Sequence, residues 1–182
     1  MAELAAVRRY ARALFDTARR EGTVDQVEED LKAVDQVLRA VPRLTRALGA
    51  PTLSTARKKA LLETAFGPRV SPLTLRFLNL LLDRRREGLV GHIFPEFVRL
   101  ANEWRNVLPV EVTAAVPLTD EEREALAGAL GRRTGKSIRL QVQIEPKIMG
   151  GMWIRMGDTI IDGSVRSRLR RLHQRLLSGR GA

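Results

Sequence analysis

The sequence predicts an α+β protein that is mainly α-helical, with a six-helix bundle in residues 1–106 and a small α/β domain in residues 107–182. Through the first part, apolar residues recur at helical spacing, and short breaks at Gly and Pro separate the segments. From Val107 onward, apolar and polar residues alternate, which is typical of half-buried strands. The short breaks between the helices favour an antiparallel bundle.

Local signals indicate where the helices of the bundle begin and end. The first helix should end at Gly22, and Thr23 followed by Gln26 predicts a capping box for the second. Ser54 and Ser71 are expected to cap the fourth and fifth helices. The predicted inward residues of the first helix are Leu4, Val7, Ala11, Leu14 and Ala18. Those of the fourth helix are Ala56, Ala60, Leu61 and Ala65.

The second domain is predicted to have the order β-α-β-β-β-α. Thr119 is followed by three acidic residues and should cap the first helix of this domain, because carboxylates are favourable at a helix N-terminus. Gly157 and Asp158 form a two-residue hairpin signal. Ser164 should cap the final helix. The predicted apolar face of that helix is Val165, Leu169, Leu172 and Leu176.

Few residues in the sequence suit catalysis or metal binding. There is no cysteine, which excludes disulfides and thiolate ligands. The two histidines, His92 and His173, lie in different predicted domains. Asp158 and Asp162 could form an acid–base pair, but a hairpin turn and a helix start account for both. We therefore expect no catalytic residue, no cofactor and no metal site.

The residues around the last two predicted strands are expected to have structural roles. The glycine pair at Gly150 and Gly151 lacks the following Lys and Ser or Thr of a phosphate-binding loop, and it indicates a bend between strands. The residues with expected structural roles are Gly150, Gly151, Gly157, Asp158, Asp162, Gly163 and Ser164.

Two predicted helices carry more apolar surface than a bundle helix needs. Apolar side chains wrap well over half of the helix at Leu73–Leu82, whereas a bundle helix needs a stripe somewhat over ~100° wide. The first helix has a second stripe, Ala6, Tyr10 and Ala13, beside its core stripe. Both surfaces could be central to the bundle, or they could form a groove for a partner helix. The sequence leaves these two alternatives open.

The chain is basic, with 32 Lys and Arg residues against 21 Asp and Glu residues. After residue 165, several Arg residues occur without any acidic residue. Such a run is usually a solvated face, and it could also meet an acidic helical partner or RNA. On the predicted final helix, Arg168, Arg171 and Arg175 would lie one turn apart and point away from its apolar face.

Two segments carry a family resemblance. The segment Arg9–Phe15 resembles the opening signature of the δ subunits of bacterial and chloroplast F-type ATP synthases, relatives of the mitochondrial oligomycin-sensitivity-conferring protein. The segment Gly150–Val165 resembles the C-terminal signature of that family. The stretches Phe77–Leu81 and Ala115–Thr119 also fit, so the resemblance covers essentially the whole chain.

The resemblance implies a non-catalytic stator subunit of the proton-translocating ATP synthase, present once per complex. It would be held peripherally at the cytoplasmic face of the bacterial cell membrane, through the complex only. Residues 1–106 would dock on the catalytic head of α and β subunits and grip one α-subunit helix between the first and fifth helices. The implied contact residues are Ala6, Tyr10, Ala13, Leu14, Phe77, Leu78 and Leu81.

The resemblance also implies that residues 107–182 bind the C-terminal end of the b-type stalk subunits. Arg168, Arg171 and Arg175 are the candidates for that contact. An RNA-binding module is the alternative, but the charge is spread over both predicted domains and no platform of aromatics suggests base stacking. No nucleic-acid partner is therefore expected. An enzyme is the third hypothesis, and it ranks last because no nucleophile–base pair can be assembled from the sequence.

Overall fold

A computed structural model of the protein describes residues 2–148, 150–165 and 167. These residues contain seven α-helices and a four-stranded sheet, which confirms the predicted α+β class with mainly helical content. The chain divides into two compact units, residues 1–101 and 102–182, and each is described here by itself. Among the described residues, no helix combines the length and apolar character required to span a bilayer.

The first six helices follow one another with short connections, as the sequence predicts. A 3₁₀ turn at Glu87–Leu89 leads directly into the sixth helix. The helices are α1 (Ala2–Glu21), α2 (Val24–Ala40), α3 (Pro42–Gly49), α4 (Thr55–Phe66), α5 (Pro72–Asp83) and α6 (Val90–Trp104).

One core cluster of the first unit forms around α1. Its predicted stripe is buried from Val7 to Ala18, and Phe15 contacts Phe97 of α6 edge to face, with 5.9 Å between the ring centroids. The prediction for Leu4 is wrong, since this side chain is 58% exposed. Leu4 lies in the first turn of α1, beyond the level at which the buried cluster begins with Ala6 and Val7.

A second core cluster joins α2, α3, α4 and α5. It consists of Val34, Leu48, Leu62, Phe66, Leu78 and Leu82. The predicted inward face of α4 is wrong at Ala56, Ala60 and Leu61, which are exposed. Ala65 is half-buried and packs against the second cluster, as predicted. The stripe that points inward includes Lys58, whose ammonium group forms an ion pair with Glu87. This pairing allows the apolar stem of Lys58 to be buried beside the core.

The predicted caps of α4 and α5 are present. The Ser54 hydroxyl accepts a hydrogen bond from the backbone N–H of Arg57, and the Ser71 hydroxyl accepts one from Thr74. The capping box predicted at Thr23 is wrong, because the Thr23 side chain makes no capping hydrogen bond. The Gln26 amide, which would complete that box, donates to Asp30 instead.

Asp30 is a buried carboxylate of α2 that holds the start of α5. Its Oδ2 atom accepts hydrogen bonds from the Ser71 backbone N–H and the Thr74 hydroxyl, both at 2.8 Å, while Oδ1 accepts from Gln26 at 2.9 Å. Burial acts to raise the pKa of Asp30, but the hydrogen bonds from Ser71, Gln26 and Thr74 outweigh it and keep the pKa below its usual value. The contact also places negative charge at the positive end of the α5 dipole.

The second unit is a four-stranded sheet with a helix. Its elements are β1 (Val107–Ala114), α7 (Asp120–Thr134), β2 (Ser137–Ile144), β3 (Met152–Met156) and β4 (Thr159–Asp162). The strand order is β2-β1-β3-β4, with β1 and β2 parallel and the other neighbours antiparallel. The core lies between the sheet and α7 and consists mainly of Val110, Val112, Leu130 and Ile154. The predicted order β-α-β-β-β is thus present.

Local signals in this unit also hold. Thr119 and Glu122 form a reciprocal capping box at the start of α7, and Gly135 ends the helix with a φ of 68°. The Ser164 hydroxyl accepts a hydrogen bond from the backbone N–H of Ser167, which is the predicted start of the final helix. Of the predicted apolar face of this helix, Val165 is 40% exposed, contrary to the prediction, and Leu169, Leu172 and Leu176 lie outside the described residues.

The glycines before β3 allow a close approach of two chain segments. A Cβ atom at Gly151 would lie 2.6 Å from the carbonyl oxygen of Gly163, and Gly151 has a φ of +79°. The Gly150 carbonyl accepts a hydrogen bond from the Val165 N–H, and the Met152 carbonyl accepts one from Gly163, both at 3.0 Å. Only glycine fits both the space and the backbone conformation at residue 151.

We predict that Asp30→Asn lowers the free energy of unfolding at neutral pH by ~1–3 kcal/mol, because the neutral amide cannot accept from all of its donors. The folded pKa of Asp30 is depressed. The carboxylate therefore stabilises the fold above the unfolded pKa, and this contribution is lost as pH falls through the folded pKa. The difference between wild type and variant should shrink in acid. Urea unfolding measures this difference in the free energy of unfolding, and hydrogen exchange locates it in α2 and α5. The control is Glu29→Gln, which changes an exposed carboxylate of the same helix. Equal losses in both variants would contradict the assignment.

We also predict that Gly151→Ala destabilises the second unit more than Gly157→Ala does. Both glycines have positive φ values, but a Cβ at Gly157 would meet no atom within 4 Å, whereas one at Gly151 collides with backbone. The Gly157 variant should lose about 1 kcal/mol from conformation alone, and the Gly151 variant should lose clearly more. Thermal unfolding of the two full-length variants tests this prediction, and identical losses would refute it.

Candidate partner-binding groove

A surface groove with a volume of about 210 Å³ lies between α1 and α5. Its lining residues come from these two helices only. They are Tyr10, Ala13, Leu14 and Thr17 of α1, with Leu73, Arg76, Phe77 and Leu80 of α5.

The spacing of the lining residues shows that the groove runs along both helices. On α1 they lie at residues 10, 13, 14 and 17, and on α5 at residues 73, 76, 77 and 80. Each set spans i, i+3, i+4 and i+7, which is the side of a helix over two turns. A groove of this form suits an amphipathic helix that lies along the two walls.

The groove has a buried floor and an accessible rim. Leu14 and Phe77 form its floor, with exposed fractions of 3% and 7%. Tyr10 is half-buried, and Leu80 is 42% exposed despite its size. The floor residues also belong to the core cluster around α1, so the groove is continuous with the packed interior of the bundle.

Positive charge lies at the rim. The Arg9 guanidinium lies 5.5 Å from the centroid of the Tyr10 ring, within the range of a cation–π contact. Arg76 lines the groove on the α5 side and is exposed. Arg12 pairs with Asp16 at 3.4 Å on the solvent side of α1. The groove therefore combines an apolar floor with a basic rim.

The structure brings together four of the seven residues expected at this site: Tyr10, Ala13, Leu14 and Phe77. Ala6, Leu78 and Leu81 do not line this groove. Ala6 and Leu81 are buried in the cluster around α1, and Leu78 belongs to the second cluster. Because apolar side chains cover well over half of α5, its sequence could not separate the groove face from the core faces.

Sequence reasoning missed four lining residues, namely Thr17, Leu73, Arg76 and Leu80. Leu73 and Leu80 lie inside the stretch with surplus apolar surface, and they are seven residues apart. On α1, Tyr10 and Thr17 are also seven residues apart. The missed signal was therefore this seven-residue spacing, which corresponds to two helical turns, on both helices.

The remaining expected site residues have simple structural positions or lie elsewhere. The Asp162 carboxylate accepts hydrogen bonds from the Ser164 backbone N–H and from the Ser167 hydroxyl, which accounts for it at the helix start. Gly157 and Asp158 form the turn between β3 and β4. Within the described residues, no group of three His, Asp or Glu side chains could hold a metal ion. Arg168, Arg171 and Arg175 lie outside the described residues.

The sequence matches a family model described as ATP synthase delta (OSCP) subunit over residues 6–176. The ATP synthase subunit delta of Symbiobacterium thermophilum is 40% identical over 174 residues, which cover 96% of this chain and 94% of that protein. The subunit delta of Desulforudis audaxviator is 42% identical over 164 residues, 90% of each chain. That of Salinibacter ruber is 38% identical over 176 residues, 97% and 93% of the two chains.

The fold also has a counterpart among solved structures. A chain in the cryo-EM structure of the Toxoplasma gondii mitochondrial ATP synthase hexamer aligns with a TM-score of 0.64 at 24% identity. The alignment covers 94% of this chain and 97% of that chain, and at this identity it supports the fold alone. Because the family model and the bacterial relatives match it nearly from end to end, the chain belongs to the ATP synthase delta (OSCP) subunit family and is a peripheral-stalk component of an F-type ATP synthase.

Proposed function

We propose that this subunit is a non-catalytic adaptor that links the catalytic head of the ATP synthase to its peripheral stalk and resists the torque of the rotor. The observation that carries the proposal is the groove between α1 and α5, with its two-turn spacing on both walls. Family membership supplies the complex in which such a groove would operate.

The proposed occupant of the groove is the N-terminal helix of one α subunit. Leu14 and Phe77 at the floor offer apolar contact area, and Leu80 at the rim would become buried under a partner. An aromatic side chain with a polar end, such as Tyr10, is typical of residues that dominate binding energy. A partner helix would thus need a row of apolar residues at i, i+3 or i+4, and i+7.

The charges around the groove indicate what should flank that row. Arg76 presents positive charge on the α5 wall, and Arg9 lies against the ring of Tyr10 on the α1 side. Carboxylates beside the apolar row of the partner would therefore speed association and set its register, as rim charges do in other interfaces. The same charges disfavour a basic partner helix.

We further propose that residues 107–182 bind the C-terminal end of the b-type stalk subunits. Support comes from the sequence after residue 165, which holds Arg residues and no acid. Arg168, Arg171 and Arg175 remain the proposed contacts. Guanidinium groups suit this role because they form bidentate hydrogen bonds with carboxylates on a partner helix.

In this proposal the mechanism is mechanical, and the chemistry of ATP synthesis belongs to other chains. Rotation inside the head produces a counter-torque, which the stator must transmit without yielding. The bundle contributes stiffness through internal ties between helices, including Asp30 between α2 and α5 and the Lys58–Glu87 pair between α4 and the turn before α6. One copy per complex would suffice, held at the cytoplasmic face of the bacterial membrane through its partners.

We predict that Tyr10→Asp and Leu80→Asp each weaken binding to the catalytic head at least tenfold, because a carboxylate would have to be desolvated against the apolar floor. The measurement is calorimetric titration of the full chain with the isolated head or with a peptide of the α-subunit N-terminus. Phe77 is unsuitable for this test, since it is 7% exposed and belongs to the core.

Leu61→Asp is the matched control, because Leu61 is 37% exposed on α4 and does not line the groove. It introduces the same charge on the same unit and should bind as tightly as wild type. If Tyr10→Asp and Leu80→Asp bind the head as tightly as Leu61→Asp and wild type do, the head docks elsewhere on the subunit.

We predict that binding of a b-type stalk peptide weakens as salt rises from about 50 to 500 mM but does not vanish, because rim charges are screened while apolar contacts persist. The triple variant with Arg168→Glu, Arg171→Glu and Arg175→Glu should bind more weakly and lose most of the salt dependence.

The control is a second triple variant with Arg43→Glu, Arg57→Glu and Arg69→Glu. It changes the net charge by the same amount, at exposed positions of the first unit. Hydrogen exchange should show added protection in residues 107–182 only. Equal effects of the two combinations would rule out the proposed contact.

A further inference from the structure

The first unit contains a second opening, separate from the groove, with a cavity volume of about 360 Å³. Its apolar walls are the second core cluster, comprising Val34, Leu48, Leu62, Phe66, Leu78 and Leu82. The cavity is open to solvent on one side, where lining residues such as Thr45, Gly49 and His92 are exposed. A molecule bound there would remove its apolar walls from water, which is favourable.

The shape of the cavity excludes a helical occupant. Each helix contributes about one turn to the wall: residues 34–39 of α2, 45–49 of α3, 62–66 of α4 and 78–82 of α5. The segment 87–92 closes the remaining side. A docked helix would require anchors over two turns or more of each wall, as in the groove between α1 and α5. Five short walls that converge on one volume instead suit a compact molecule.

The acidic side chains at the cavity are already paired with cations. Asp35 accepts a hydrogen bond from Arg39 at 2.8 Å, and Glu87 pairs through Oε1 with the buried ammonium group of Lys58, while its Oε2 is buried without a hydrogen-bond partner among the described residues. A charged ligand would have to lose water and find no free counter-charge among these side chains, which is costly. The electrostatics thus select an uncharged occupant.

The volume sets the size of that occupant. A closed apolar cavity of about 150 Å³ binds benzene, and this cavity, which is open to solvent on one side, is roughly twice as large. We propose that the cavity between α2, α3, α4, α5 and the start of α6 binds an uncharged, apolar small molecule about the size of two fused aromatic rings. Bound there, the molecule would contact five segments at once and stabilise their packing, since a ligand that binds only the folded state raises its stability.

The test uses naphthalene as the probe and the full chain as the protein. Saturation-transfer NMR detects binding, and the thermal midpoint of the first unit reports stabilisation. Naphthalene should bind and raise the midpoint, while 2-naphthoate, of similar shape but charged, should bind at least tenfold more weakly. Failure of naphthalene to bind up to its solubility limit would overturn the proposal, as would equal binding of the two probes.

Gly91→Leu is designed to fill the cavity. Gly91 lines it from the first turn of α6, and a Cβ there would meet only the Asp35 carboxylate, at 4.0 Å. Leu48→Phe fills the cavity from the α3 wall and serves if the first variant does not fold. Each filled variant should bind naphthalene at least tenfold more weakly than wild type.

The matched control is Gly128→Leu, an exposed glycine of α7 in the other unit, which makes the same helix substitution away from the cavity. It should leave naphthalene binding unchanged. Equal binding by wild type and a folded, filled variant would show that the probe binds elsewhere. Because Tyr10→Asp and Leu80→Asp lie outside this cavity, loss of head binding in those variants tests the proposed function separately.

Discussion

The carboxylate of Asp30 is the contact on which the arrangement of α5 depends. A buried charge would destabilise the fold if it were unpaired, and Asp30 is only 2% exposed. Three donors prevent this, one from its own helix, one from the cap residue of α5 and one from the first turn of α5. Because α5 carries Phe77 and Leu80 into the groove and Leu78 and Leu82 into the cavity, the position of both openings follows from this contact.

What the sequence could predict was mostly local. Ser54, Ser71 and Thr119 cap their helices as expected, because each cap involves residues three positions apart. The failures have long-range causes. Thr23 does not form its capping box because Gln26 donates to Asp30, and Asp30 is in turn part of the contact with α5. Lys58 points inward because Glu87, 29 residues away, pairs with it.

The groove was predicted in part for the same reason. Tyr10 could be identified because a lone aromatic among small residues stands out on a helix. The residues of α5 could not be sorted, since Phe77, Leu78, Leu80 and Leu81 are all large and apolar, and only packing decides which of them faces which neighbour. The C-terminal signature, by contrast, has a direct physical reading. The space at Gly151 is smaller than a methyl group requires, so the sequence pattern there reflects backbone contact.

The two openings share α5, which makes them thermodynamically linked if the helix moves as one body. Leu78 and Leu82 face the cavity, while Leu73, Phe77 and Leu80 face the groove. If occupation of the cavity shifts α5, it changes the affinity of the groove for its partner. Thermodynamic reciprocity then requires that occupation of the groove change the affinity of the cavity for its ligand by the same factor. If the groove binds the head as proposed, the opposite faces of α5 are coupled, and the affinity of the subunit for the head would depend on whether the cavity is occupied.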